Sequence, residues 1–197
     1  MPARIRGLLM CGGMASRFGS DKLAAMLDGE PLAAHGARHL LAGLGNALAV
    51  LPPEAPRLRA ILEGAGCEVL ESIDCARGLG ASIAAGVAAS AGADGWIVAL
   101  GDMPRIRPLT IAAVAARLGK GAHIVAPILG AVRGHPVGFG RTLKGPLLAL
   151  DGDDGAKALL RRHHDVLETF IVDDPGVTQD VDVPADLEQA REARRET

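Results

Sequence analysis

The sequence has no tyrosine, three phenylalanines and one tryptophan, so aromatic residues make up only 2% of its 197 residues. Stacking of bases on aromatic rings, a common route to single-strand and nucleobase binding, is therefore not expected. Cysteine is equally sparse: Cys11, Cys67 and Cys75 give neither a disulfide framework nor a C-x-x-C pair. Cys67, lying between a helical stretch and an apolar run, reads as a small buried hydrophobe. The net charge of −2 supplies no global positive field, so no nucleic-acid partner is expected. No apolar run reaches membrane-spanning length, and no basic-then-apolar leader precedes the first apolar run. No membrane association and a cytoplasmic location are expected.

What is present is a chain of one-domain length, taken as residues 1–197, with 49% hydrophobic and 22% charged residues. A chain of this size can bury about 70% of its unfolded surface. Short apolar runs alternate with Ala/Leu-rich helical segments, the pattern of an α/β fold with a mostly parallel sheet. Strands are expected at 5–10, 47–51, 68–71, 96–100, 123–127, 136–139, 166–172 and 180–182. Helices are expected at 32–44, 56–65, 82–90, 108–118, 144–150, 156–164 and 184–194. Pro56, Pro108 and Pro184 each fall where a first helical turn accepts proline. The charged tail after Leu187 is expected to be a solvated helix that frays, and His163-His164 is read as surface.

The first apolar run opens into a loop holding Gly12, Gly13 and Gly19, with Arg17 and Lys22 among the glycines. Glycines let backbone N–H groups approach a ligand, and two cations in one loop suit several negative charges. A nucleoside triphosphate fits that description. The loop is neither a Walker A motif, lacking Gly-Lys-Ser/Thr, nor G-x-G-x-x-G.

In a doubly wound sheet, ligands lie outside the carboxyl ends of the strands, and polar residues recur there. Gly101-Asp102-Met103-Pro104 follows the run 96–100. From the residues alone, Asp102 is equally a turn-capping carboxylate and a ligand for Mg²⁺, which takes one or two carboxylates plus phosphate oxygens. Asp180 and Asp182 alternate with valines before Pro184, which puts both on one face of a short strand. Paired carboxylates there invite a cation. Gly78-Leu79-Gly80-Ala81-Ser82 reads as a glycine turn into a helix, offering unpaired N–H groups, or as a helix start with a small N-cap. His135, held extended by Pro136, follows Arg133-Gly134, and Gly152-Asp153-Asp154-Gly155-Ala156-Lys157 forms a polar turn.

Met10-Cys11-Gly12-Gly13, Arg17-Phe18-Gly19 and Lys22 together resemble L-A-[AG]-G-x-x-x-R-[MF]-G-x-x-K, the pattern of the MobA-like nucleotidyltransferases. These are the molybdenum cofactor cytidylyl- and guanylyltransferases. Met10 and Cys11 depart mildly from the usual leucine and alanine. The later segments are similar in the family's order: Gly-Asp-Met-Pro, Gly78-Leu79-Gly80-x-Ser82, Gly134-His135-Pro136-Val137-x-Phe139, Gly152-Asp153-x-Gly155-Ala156-Lys157, and D-x-D-x-P-x-D-L with Val183 in place of threonine.

The resemblance implies a Rossmann-like three-layer α/β/α nucleotidyltransferase fold. It implies Mg²⁺-dependent transfer of CMP or GMP from a nucleoside triphosphate to the phosphate of molybdopterin or molybdenum cofactor. In that scheme Arg17, Lys22, Asp102 and Asp182 are catalytic, with Asp102 and Asp182 holding the metal. Asp180 is then solvent-facing or structural, and Asp186 a first-turn helix acid. Met10, Cys11, Gly12, Gly13, Arg17, Lys22, Gly78, Leu79, Gly80 and Ser82 bind the nucleotide; His135 and Asp154 bind the acceptor. Gly12-Gly13 resembles the guanylyl branch, but the segments at 78–82, 134–136 and 180–182 resemble the cytidylyl branch, which favours CTP over GTP. A molybdoenzyme chaperone is the implied protein partner. A sugar phosphate or phospholactate acceptor, or a non-catalytic nucleotide-binding protein, are the alternatives.

Overall fold

A computed structural model describes residues 3–12 and 22–181 of the chain. The central sheet has eight strands: β1 (Ile5–Met10), β4 (Leu48–Leu51), β5 (Glu68–Glu71), β6 (Gly95–Leu100), β7 (Ile124–Leu129), β8 (Val132–Arg133), β9 (Val137–Gly140) and β10 (Leu167–Ile171). Their order is β10-β7-β9-β6-β1-β4-β5, with β8 beside β7. Pairing is parallel from β6 through β1 and β4 to β5, and again between β7 and β10. β9 runs antiparallel to both β6 and β7. A separate hairpin joins β2 (Met26–Leu27) to β3 (Glu30–Pro31).

The helices are α1 (Leu32–Leu44), α2 (Pro56–Gly64), α3 (Leu79–Ala89), α4 (Pro108–Gly119), α5 (Lys144–Leu148) and α6 (Lys157–Arg162). Because successive side chains of a strand point to opposite faces, β1 feeds two cores. Leu9 packs with Leu40 of α1, Leu62 of α2 and Ile111 and Val114 of α4. Leu8 and Met10 pack with Ile83 and Val87 of α3, Leu147 of α5 and Leu160 of α6. The result is the expected three-layer α/β/α arrangement. Among the described residues, no helix is long and apolar enough to cross a membrane.

From β1 the chain steps outward to β4 and β5, then returns to place β6 on the other side of β1. The carboxyl ends of β1 and β6 therefore flank the point where the winding reverses, the crevice where open α/β sheets bind ligands. Met10 is in register with Leu100, and the Gly101 N–H donates to the Met10 carbonyl at 2.9 Å. Residues 11–12 and 101–102 thus leave the sheet side by side.

Two expectations need correction, and one element is unexpected. The strand expected at 180–182 is not formed by Asp180 or Val181, and Asp182 lies outside the described residues. Pro175–Thr178 makes a 3-10 turn, capped by Asp174, after which the chain crosses the carboxyl edge of the sheet. There the Val181 N–H donates to the Asp102 carbonyl, and its side chain packs on Leu27 and Leu32. The helix expected to start at Ser82 starts at Leu79, so Ser82 is inside its first turn and is not its N-cap. The β2–β3 hairpin was not expected, although Asp28-Gly29 at its tip, both at positive φ, is a favoured two-residue hairpin turn. The helix expected at 184–194, with Asp186, lies outside the described residues.

Candidate active site at the carboxyl edge of the sheet

The centre of the site is an ion pair that spans 80 positions of sequence. Lys22 Nζ donates to Asp102 Oδ2 at 2.9 Å. The lysine side chain is 9% exposed and the aspartate side chain 27%, so the pair is shielded from bulk solvent on one side and reachable on the other. Asp102 is the second residue past β6, on a turn that a glycine makes possible. A Cβ at Gly101 would sit 3.1 Å from both Cys11 Sγ and the Met10 carbonyl oxygen.

The second carboxylate oxygen, Oδ1, is buried with no hydrogen-bond partner among the described residues. Leaving a buried acceptor unsatisfied costs about 1–3 kcal/mol. A carboxylate with one oxygen on an ammonium and the other bare is a donor set suited to a hard dication. The fit of Asp102 to a divalent metal rests on that bare oxygen.

Met10, Cys11 and Gly12 form the adjoining wall. Cys11 is buried, and its N–H donates to the Val50 carbonyl at 2.9 Å. Burial, with added repulsion from Cys67, Asp102 and Cys75, pushes its thiol far above the usual range. It stays protonated and is no nucleophile. Burial likewise raises Cys67, to about 11, in keeping with the buried hydrophobe expected. A Cβ at Gly12 would fall 2.8 Å from Cys75 Sγ and 3.1 Å from Ser82 Oγ. The glycine therefore lets the end of β1 lie directly on the start of α3. Gly13 and Arg17 lie outside the described residues, as does Asp182.

The glycines at 78 and 80 work differently from the expectation of open N–H groups. Gly78 N–H bonds the Cys75 carbonyl, Gly80 N–H the Gly152 carbonyl at 2.8 Å, and Ser82 N–H the Gly78 carbonyl. Ser82 is fully buried, with its hydroxyl on the Gly78 carbonyl at 3.0 Å. Gly78 adopts φ +111°, and a Cβ at Gly80 would lie 2.6 Å from the Asp151 carbonyl oxygen. Both glycines admit the 151–155 turn against the start of α3. Asp154 is on that turn, exposed, its carbonyl accepting from Lys157 N–H. The motifs at 78–82 and 152–157 therefore form one joined wall, tied also by Arg77 to Asp151 at 2.9 Å.

His135 enters from the antiparallel strand. Val137 pairs with Val98 as the last step of the β6–β9 ladder, and His135 lies two residues before it. The His135-Pro136 peptide is cis, and His135 N–H donates to the Val177 carbonyl at 2.8 Å. Its ring atom Nδ1 is buried without a partner among the described residues. Burial lowers its pKa, opposed by Asp102 and the Val98 backbone and assisted by Arg133 and Lys157. Those two cations act on the site; Lys157 fills the basic position of the 152–157 motif, whereas Arg133 has no expected role.

A second histidine, His39 of α1, is lowered mainly by burial, with His35, Arg38 and Arg105 adding to the effect against the Pro104 backbone. Both histidines are depressed below the ordinary 6.5, so the unfolded chain takes up protons that the folded chain refuses. Their stabilisation is complete above pH 6.5 and is lost as pH falls through that value toward the lower folded pKa values. The urea midpoint is expected to fall between about pH 7 and about pH 5. A midpoint that holds steady across that interval would contradict the burial of these rings.

A family model described as the MobA-like NTP transferase domain matches residues 7–166. The chain is 29% identical over 206 residues to the purine catabolism protein PucB of Bacillus subtilis (strain 168), covering 95% of this chain and 96% of PucB. Among solved structures it is similar to Rv0371c from Mycobacterium tuberculosis H37Rv, with TM-score 0.83 and 25% identity over 98% of this chain and 100% of that one. A structure of Rv0371c in complex with manganese gives TM-score 0.79 and 24% identity, covering 96% and 99%.

Proposed function

The chain belongs to the MobA-like NTP transferase family, and from that premise we propose that it transfers CMP from CTP to the phosphate of a molybdopterin-type acceptor. An acceptor phosphate oxygen attacks the α-phosphorus of CTP, a P–O bond forms, the α–β bridging P–O bond breaks, and pyrophosphate leaves. No covalent enzyme intermediate is required. The observation that carries the reading is the Lys22–Asp102 pair at the winding reversal, with Asp102 Oδ1 buried and bare.

Asp102 and Asp182 would hold Mg²⁺; the sequence reaches Asp182 one residue after Val181, whose N–H is on the Asp102 carbonyl. Held by these carboxylates, the metal would supply neutralisation of the charge that gathers on the phosphates. Lys22 directs its ammonium at the α-phosphate, where negative charge develops, and Arg17 takes the β- and γ-phosphates. Gly12 and Gly13 let the backbone lie close to base and phosphate. Met10 and Cys11 close the apolar floor. The wall formed by Gly78, Leu79, Gly80 and Ser82 borders the nucleotide. His135 and Asp154 face the acceptor, with Arg133 and Lys157 adding positive charge.

A different phosphorylated acceptor would use the same loop and carboxylates and would differ around His135 and Asp154. Lys22 and Asp102 weigh against a non-catalytic nucleotide-binding protein. Pyrophosphate release with CTP, Mg²⁺ and molybdopterin is the expected result. Turnover with GTP alone would overturn the choice of base, and turnover only with a sugar phosphate or phospholactate would overturn the acceptor.

A further inference from the structure

We propose that His135 is a nitrogen ligand of the same cation as Asp102, so that this site prefers a transition-metal dication to Mg²⁺. The inference rests on the transferase reading above and assigns His135 a contact beyond acceptor binding. Two polar atoms at one edge of the sheet, Asp102 Oδ1 and His135 Nδ1, are buried with no hydrogen-bond partner among the described residues. Burying either atom unsatisfied is costly, and a single cation between a carboxylate oxygen and an imidazole nitrogen satisfies both.

The backbone brings these residues together independently of their side chains. The β6–β9 ladder ends at Val98 and Val137, so His135, two residues before Val137, and Asp102, four residues past Val98, leave the same end of that antiparallel strand pair. The short segment 177–181 then clamps both: the Val177 carbonyl accepts from His135 N–H, and Val181 N–H donates to the Asp102 carbonyl. Gly134 has no room for a Cβ, which would lie 2.7 Å from Val177 Cβ, so the histidine's main chain is held tightly against that clamp. The ring is also held by a hydrogen-bond interaction with the Val98 backbone, and Nδ1, which has no partner among the described residues, keeps a lone pair to give to a metal.

Ligand chemistry sets the preference. Mg²⁺ favours carboxylate and water oxygens, whereas imidazole favours the first-row transition dications. Mn²⁺ serves as the probe because it is paramagnetic, with pyrophosphate as a nitrogen-free stand-in for the phosphate ligand. Three-pulse electron spin-echo spectra of the wild-type chain with Mn²⁺ and pyrophosphate are expected to show ¹⁴N modulation. That modulation should disappear in His135→Gln, and the Mn²⁺-over-Mg²⁺ affinity ratio should fall roughly tenfold. His135→Ala with free imidazole added back, which should restore it, is the second variant.

Absence of nitrogen modulation in the wild type, or its persistence in His135→Gln, while Asp102→Asn still weakens Mn²⁺ binding, would overturn the histidine ligand and leave the transferase reading standing. Mn²⁺ binding that is absent, or indifferent to Asp102→Asn, would overturn both.

Discussion

Asp102→Ala is expected to lower the rate of pyrophosphate release by at least about a thousand-fold, roughly 4 kcal/mol of transition-state stabilisation. The substitution removes both the oxygen that bonds Lys22 and the bare Oδ1 assigned to the metal. It changes a turn residue and opens no core cavity, so the far-UV circular dichroism should be unchanged. Loss of the charge-assisted hydrogen bond from Lys22 should reduce stability by about 1–3 kcal/mol. Asp102→Asn, which keeps the shape but not the charge, should be nearly as inactive. A variant within tenfold of the wild-type rate would take Asp102 out of the catalytic machinery.

The largest stability effect is expected at Asp174. It is 2% exposed. It accepts from the Thr110 hydroxyl at 2.6 Å, the Arg107 N–H at 2.9 Å and the Gly176 N–H at 3.2 Å. It therefore ties the start of α4, which has no cap of its own, to the 3-10 turn that leads to Val181. Asp174→Ala leaves two of those donors buried without an acceptor and should cost about 3 kcal/mol. At about 2–4 °C per kcal/mol for a domain of this size, Tm should fall by roughly 6–12 °C. Asp174→Asn, whose amide oxygen still accepts, should lose less than half as much. Equal urea midpoints for wild type and Asp174→Ala would show that the network contributes nothing.

Much of the frame was legible because it follows from local pattern. β1, β5 and α1 have the bounds expected from apolar runs and turn residues, and Pro56 and Pro108 open α2 and α4 as proline at a first helical turn should. Parallel pairing followed from strand–helix alternation. The antiparallel insertion of β9 did not, since pairing direction is set by tertiary order and no residue of Val137–Gly140 encodes it.

At the site, Lys22 and Asp102 were both identifiable as polar residues at loop and strand ends, and the fold joins them. Their pairing with each other is not legible, because 80 positions separate them and nothing local to either names its partner. The glycines at 78 and 80 act as points of close approach and not as open donors. Their N–H groups go to Cys75 and Gly152, and what the missing Cβ atoms permit is the approach of the 151–155 turn. Asp180 and Val181 alternated like a strand, yet that segment runs across the sheet edge and satisfies its backbone on Asp102.

The most direct test is calorimetric titration of CTP and GTP into the chain, with and without divalent metal, in wild type and in Asp102→Ala. CTP binding that strengthens with metal in the wild type and loses that gain in Asp102→Ala is the predicted result. Nucleotide binding that is indifferent to metal, or a metal effect that survives in Asp102→Ala, would contradict a shared metal–triphosphate site at Lys22 and Asp102.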